Sequence, residues 1–182
     1  SDAFCTGGYE APVIFILMST PPPRDLETDL DVWIILMALS ESVSARLRKH
    51  GFKCKVVEIS IRDNGLNSIT RQKRISQPTN ITDEIVKAAF ELFKKHYRWE
   101  HPIRSLGVRG SDLVMEDIPV QLDLFDNQEK REKLERLDRA VDEIRRRFGY
   151  FSIQRAAMYQ DKVLSHLDAG THTVHPHSYF HG

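Results

Sequence analysis

The sequence predicts an α+β fold: a four-stranded antiparallel sheet with two helices on one face, followed by a helical tail. Three observations point there. Stretches of strand-like and helix-like periodicity alternate in the order strand, helix, strand, strand, helix, strand between residues 11 and 110. A strong hairpin signal, Asp63-Asn64-Gly65, separates the two middle strands. The chain has 182 residues, of which 41% are hydrophobic, enough for one core and some extra helix.

Each element has its own warrant. Residues 1–10 carry Gly7-Gly8 among polar neighbours and read as a disordered N-terminal end. Ala11 to Met18 is rich in Val and Ile, which predicts a strand apolar on both faces, buried or covered by a partner. Pro21-Pro22-Pro23 stops it. Thr28 is the expected N-cap of the first helix, with Asp29 and Asp31 at its positive end. Leu36, Leu39, Val43 and Leu47 recur at helical spacing, Trp33 extends the apolar face, and Gly51 is the stop. In Lys53 to Arg62, Val57, Ile59 and Ile61 alternate with Glu58, Ser60 and Arg62, the mark of a half-buried strand. The return strand, Leu66 to Ser76, holds Arg71, Gln72, Lys73 and Arg74 in a row, and Gln77-Pro78-Thr79 closes it.

A second helix starts near Thr82, with Ile85, Ala89, Leu92 and Phe93 as its buried stripe and Pro102 as its breaker. Ile103 to Val108 is the fourth strand and ends in Arg109-Gly110. This order is the split βαβ pattern of ferredoxin-like domains, with one sheet face open to water or a ligand. Beyond it, Gln128 to Phe148 reads as a helix whose Leu134, Leu137, Val141, Ile144 and Phe148 form a narrow stripe expected to pack on the parent protein, or to self-associate as a short coiled coil. Its pairs Glu129–Lys133, Glu132–Arg136, Glu135–Arg139 and Asp142–Arg146 have the favourable four-residue spacing. Ser152 is the expected cap of one more short helix through Leu167, and 168–182 read as a disordered tail.

Net charge is zero, but its placement is uneven: −6 over residues 1–44, +9 over 45–110 and −3 over 111–182. A basic middle between acidic ends points to a local polyanion footprint, or to ordinary solvated cations. The two cysteines, Cys5 and Cys54, have no metal spacing and fit a reduced, cytoplasmic protein. The apolar run Val13 to Met18 is too short to span a membrane. His166, His172, His175, His177 and His181 lack carboxylate or thiolate partners and are interrupted by Pro176, so they read as a flexible end, with no metal site expected.

Between the sheet domain and the tail lies Gln121-Leu122-Asp123-Leu124-Phe125, an apolar cluster in a connector. It resembles the short peptide by which bacterial replication and repair proteins dock on the ring-shaped sliding clamp (the beta subunit). The Gln amide in that mode hydrogen-bonds at the mouth of a groove, and Leu and Phe fill an apolar pocket. The alternative is a linker whose Leu122, Leu124 and Phe125 fold back on the domain's own core.

A wider set of residues resembles one family. Glu41-Ser42-Val43 through Arg46-Leu47-Arg48, Gly51-Phe52-Lys53, Val56 to Arg62, Thr70-Arg71, Pro78-Thr79, Ala88-Ala89 and Ile103-Arg104-Ser105-Leu106-Gly107-Val108 are similar, in order and spacing, to the little-finger domain of bacterial Y-family DNA polymerases. Arg145-Arg146-Arg147-Phe148-Gly149 and Ser152 to Ala156 resemble the C-terminal tail of UmuC-like (ImpB/MucB/SamB) members. The resemblance implies a little-finger domain over 11–115, a linker with the clamp peptide over 116–126, and C-terminal helices over 127–167. It implies part of an error-prone translesion polymerase of the DNA damage (SOS) response. It also implies that the catalytic palm and its magnesium lie elsewhere in the parent, so that no catalytic residue and no cofactor are expected here. The partners implied are primer–template DNA and the clamp, with no membrane.

Candidate phosphate contacts are Lys53, Lys55, Arg62, Arg71, Lys73, Arg74, Arg104 and Arg109, with Arg71 and Lys73 on one face of their strand and Arg74 on the other. Asp25, Glu27, Asp29 and Asp31 are read as helix-entrance carboxylates and not as a metal site. Two features depart from the family pattern. Ile14 to Leu17 are apolar where a Lys-Ser-Ile-Gly type segment is usual, and Asn67 stands where an apolar residue is common. The bare first strand also opens self-association through a sheet edge. Two other readings remain: a non-enzymatic clamp adaptor, and a ferredoxin-like regulatory module for a small ligand.

Overall fold

The computed structural model of the chain describes residues 15–16, 22–117 and 128–165. Within them the elements are β1 (Phe15–Ile16), α1 (Asp29–Lys49), β2 (Phe52–Asp63), β3 (Ser68–Thr79), α2 (Thr82–His96), β4 (Ile103–Met115), α3 (Gln128–Phe148), two 3-10 turns (Tyr150–Ser152 and Ala156–Gln160) and α4 (Lys162–Ser165).

Element order is as expected; strand order is not. The sheet runs β1-β4-β2-β3, with every neighbouring pair antiparallel. A ferredoxin-like sheet would place β3 between β1 and β2. Here β4 takes that place and β3 is an edge, which corrects the ferredoxin-like expectation. The reason lies in the side chains. β4 brings Ile103, Leu106 and Val108, all fully buried, to the centre. The row Arg71 to Arg74 could not be covered on both sides without stranding charge, and an edge strand leaves it in water.

Three boundaries also shift. β3 continues through Gln77-Pro78-Thr79 instead of closing there, since an edge strand tolerates a proline without an N–H. β4 runs past Arg109-Gly110 to Met115, because β2 offers partners as far as Phe52. The stretch after Ser152 forms two 3-10 turns and the four-residue α4 in place of one helix. Of the strand expected over Ala11 to Met18, only Phe15–Ile16, paired with Arg109 and Val108, lies among the described residues.

α1 begins as its residues dictate. Thr28 Oγ1 accepts from the Asp31 N–H at 3.1 Å, and Asp31 Oδ2 accepts from the Thr28 N–H at 3.2 Å, a reciprocal capping box. Arg24 binds Asp31 at 2.7 Å and Asp161 at 2.8 Å, tying the helix start to the tail. Burial pushes the Asp31 carboxyl up, but the Arg24 guanidinium and the Glu27 and Thr28 N–H groups outweigh it and hold it below the usual range. At the other end Gly51 takes φ +69°, a conformation that suits glycine.

α1 and α2 lie on one face of the sheet. Leu36, Leu39, Val43 and Leu47 meet Ile85, Ala89, Leu92 and Phe93 over Val57, Ile59, Ile61, Leu106 and Val108. Each such large side chain contributes about 1.5–3 kcal/mol by leaving water. Gly110 allows close approach at the sheet's centre: a Cβ there would stand 3.1 Å from Cys54 Cβ and 3.5 Å from Leu47 Cδ1. Met158 and Leu164 of the tail close the core over α1.

Candidate nucleic-acid interface

The helix-covered face of β2 is set by Val57, Ile59 and Ile61, so Glu58, Ser60 and Arg62 point to the other side. Register carries that assignment across the sheet. Opposite Val56, Glu58, Ser60 and Arg62 lie Arg74, Gln72, Thr70 and Ser68 of β3. On the other flank lie Ser111, Arg109, Gly107 and Ser105 of β4. The open face is therefore largely polar. It carries small side chains, Gln72, Glu58 and three arginines, Arg62, Arg74 and Arg109, spread over three adjacent strands. β3, at its edge, holds three cations and no carboxylate.

The eight candidate cations fall into distinct settings. Arg62, Arg74 and Arg109 share the open face. Arg109 lies 3.4 Å from Glu58, and Arg74 lies 3.2 Å from Asp112, in a water-exposed pair of the kind that holds its partner by 1 kcal/mol or less, roughly. Arg104 is exposed at a register shift opposite the Arg62/Asp63 step. Arg71 and Lys73 stand opposite Ile59 and Val57, which puts them on the helix side of the edge, where Lys73 pairs with Glu91 of α2. Lys53 is drawn 3.0 Å from Glu135 of α3 and is largely covered. Lys55 sits at the register shift between Cys54 and Val56. The structure thus groups three of the eight on one surface, with Arg104 at its margin. Gln121 to Phe125 lie outside the described residues.

The entrance carboxylates have structural roles: Asp31 closes the capping box, and Asp29 accepts from Trp99 Nε1 at 2.9 Å and pairs with Lys94. Burial pushes the Cys54 thiol up to about 12, so it stays protonated.

The sequence reading missed how α3 docks. None of its four expected intrahelical ion pairs forms among the described residues. Their members reach across instead: Glu135 to Lys53, Arg139 to Glu116, Asp142 to Arg48 at 2.7 Å. At the centre is Asp138, 4% exposed, which accepts from Arg48 at 3.2 Å, from Arg155 at 3.0 Å and from the Thr82 N–H at 2.8 Å. Thr82 is the first residue of α2, whose N-cap Ile81 has no side-chain cap. Asp138 supplies that cap from another helix. Glu41, also buried, joins the network through Arg145 and Arg155. The apolar stripe is left beside this contact, with Leu137 50% and Phe148 73% exposed. An apolar N-cap residue at Ile81 is the one hint in the sequence that a cap must come from elsewhere.

A family model, the impB/mucB/samB family C-terminal domain, matches residues 16–124. The chain belongs to this family. Its relatives include the DNA polymerase IV of Acetivibrio thermocellus, 44% identical over 158 residues, which are 87% of this chain and 40% of the relative. The DNA polymerase IV of Pelotomaculum thermopropionicum is 32% identical over 74% of this chain and 32% of its own. For the DNA polymerase IV 2 of Bacillus subtilis the figures are 35%, 74% and 32%. The chain spans 40% or less of the length of these relatives. A solved complex of the beta-clamp processivity factor and the little finger domain of PolIV matches at a TM-score of 0.46 and 14% identity, covering 62% of this chain and 99% of that one. A match of 158 residues in a chain of 182 must include residues 25–158, so α3 lies within the similarity to the Acetivibrio protein although the family domain stops before it. No helix among the described residues is long and apolar enough to cross a membrane.

Proposed function

We propose that this chain is the duplex-gripping, little-finger part of a cytoplasmic translesion DNA polymerase, held near its template by the sliding clamp. The observation that carries this reading is the open sheet face, where Arg62, Arg74 and Arg109 stand among serines, a threonine, a glycine, Gln72 and the carboxylate of Glu58. Adjacent strands are about 4.8 Å apart, so the three cations span a strip about 10 Å wide. The small neighbours let a phosphate backbone come close, and Glu58 on the same face is paired with Arg109. Such a surface positions a duplex without choosing a sequence. Family membership and the DNA polymerase IV names of the relatives support the same reading. The magnesium-dependent chemistry of such a polymerase would belong to another part of the protein.

Gln121 to Phe125 is the proposed clamp hook. A tether of this kind raises the local concentration of the domain at DNA to about the millimolar range without strengthening the grip itself. The test is binding of the chain to primer–template DNA at two salt concentrations, with and without clamp. Salt-sensitive DNA binding that the clamp enhances is the expected result. Clamp binding with no DNA binding would replace this reading by a clamp adaptor.

A further inference from the structure

The turn between β2 and β3 reads Asp63-Asn64-Gly65-Leu66-Asn67. Left-handed backbone comes easily to glycine and is tolerated by asparagine; a leucine adopts it under strain. Yet with Gly65 and two asparagines beside it, Leu66 takes φ +67°, and the residue is 63% exposed. The turn is braced to keep it there. The Asp63 carboxylate accepts from the Asn67 N–H at 2.9 Å and from Asn67 Nδ2 at 3.1 Å, and the Asn64 N–H donates to the Pro102 carbonyl at 3.0 Å. A Cβ on Gly65 would stand 3.2 Å from the His101 ring. A strained, exposed apolar residue held in a hydrogen-bonded turn is a pattern that surrounding structure sustains where function uses it. Its place agrees: the strand pair next to the turn is Arg62 and Ser68 of the open face, and Arg104 sits across from it.

We propose that Leu66 is a contact residue of the nucleic-acid surface, an apolar knob that packs on the sugar faces of the duplex while the neighbouring arginines hold phosphates. This rests on the DNA-gripping reading above. The test compares the full chain with Leu66→Asn, Leu66→Gly and Leu66→Met on primer–template DNA at about 50 and 200 mM salt. Asn and Gly relieve the strain, so the unfolding midpoint rises, while affinity falls by about three- to tenfold for the lost apolar contact. The salt slope stays that of the wild type, because no charge is removed. Leu66→Met keeps the apolar contact and binds as the wild type does. Affinity of the Asn and Gly variants within about twofold of wild type overturns the inference and leaves the grip intact. So does a loss of affinity that tracks a loss of stability. Absence of salt-dependent binding by the wild-type chain removes both.

Discussion

Asp138→Ala probes the docking of α3 most directly. The substitution removes the cap of α2, worth about 1 kcal/mol by analogy with ordinary N-caps. It also removes the charged hydrogen bonds from Arg48 and Arg155. The full cost of stranding a buried charge, about 3–5 kcal/mol, does not apply. Arg48 keeps Asp142 and the Asn80 carbonyl, and Arg155 keeps Glu41 and Asp83. About 1–2 kcal/mol for the lost contacts is the better figure, which makes the total about 2–3 kcal/mol. For a chain of this size that lowers the midpoint by roughly 4–12 °C. Thermal and urea unfolding followed by circular dichroism measure it. Hydrogen exchange at the Thr82 amide should quicken in step, because it loses its acceptor. Asp138→Asn keeps an acceptor and should lose only about half as much. An Asp138→Ala chain within about 0.5 kcal/mol of wild type would behave as a surface variant, and the trans cap would have to be abandoned.

Replacing Arg62, Arg74 or Arg109 by Ala should each reduce the slope of log affinity against log salt by about one unit. Lys53→Ala, whose charge is already held by Glu135, should leave that slope unchanged; equal effects at all four positions would dissolve the distinction between open-face cations and one tied to α3. Changing Gln121, Leu124 and Phe125 together to Ala should abolish clamp binding and leave bare-DNA affinity intact, as read by surface plasmon resonance on each ligand. Acid unfolding should depend on Asp31. Its carboxyl is held below the unfolded value, so its stabilisation is present above a pH of about 4 and fades as pH falls through the folded value. Asp31→Asn should therefore cost stability at neutral pH and converge with wild type in acid; a pH-independent difference would refute the assignment.

Local signals were legible and neighbour relations were not. Thr28, Asp31 and Gly51 announced both ends of α1 because caps and stops act within a few residues. The Asp63 to Gly65 turn was legible too, though its left-handed residue is Leu66, because the Pro102 carbonyl that holds Asn64 comes from a distant part of the chain. The doubly polar row in β3 was visible as an anomaly, and its resolution as an edge needed the strand order. Alternation separated Arg74 from Arg71 and Lys73 from sequence alone, but only register brings Arg74 and Arg109 to the same surface as Arg62. α3 shows the limit most sharply. Pattern rules take the apolar stripe as the docking side. The chain instead docks through Arg131, Glu135, Asp138, Asp142 and Arg145, the same heptad rhythm displaced around the helix. Their partners, such as Arg48 and Glu41, lie about ninety to a hundred residues away, and no local window pairs them.

Two electrostatic systems thus share one small chain, and salt should separate them. The open-face arginines are water-exposed or partly so, and added ions screen them over about 8 Å at physiological strength. In the α3 network Arg48, Asp138 and Glu41 are almost wholly covered, so mobile ions reach them poorly. Raising salt should then release DNA while the helical tail stays docked on α1 and α2. If unfolding midpoints fell with salt as steeply as DNA affinity does, the network would be a solvated surface lattice after all, and the trans cap on α2 could not be the anchor of the tail.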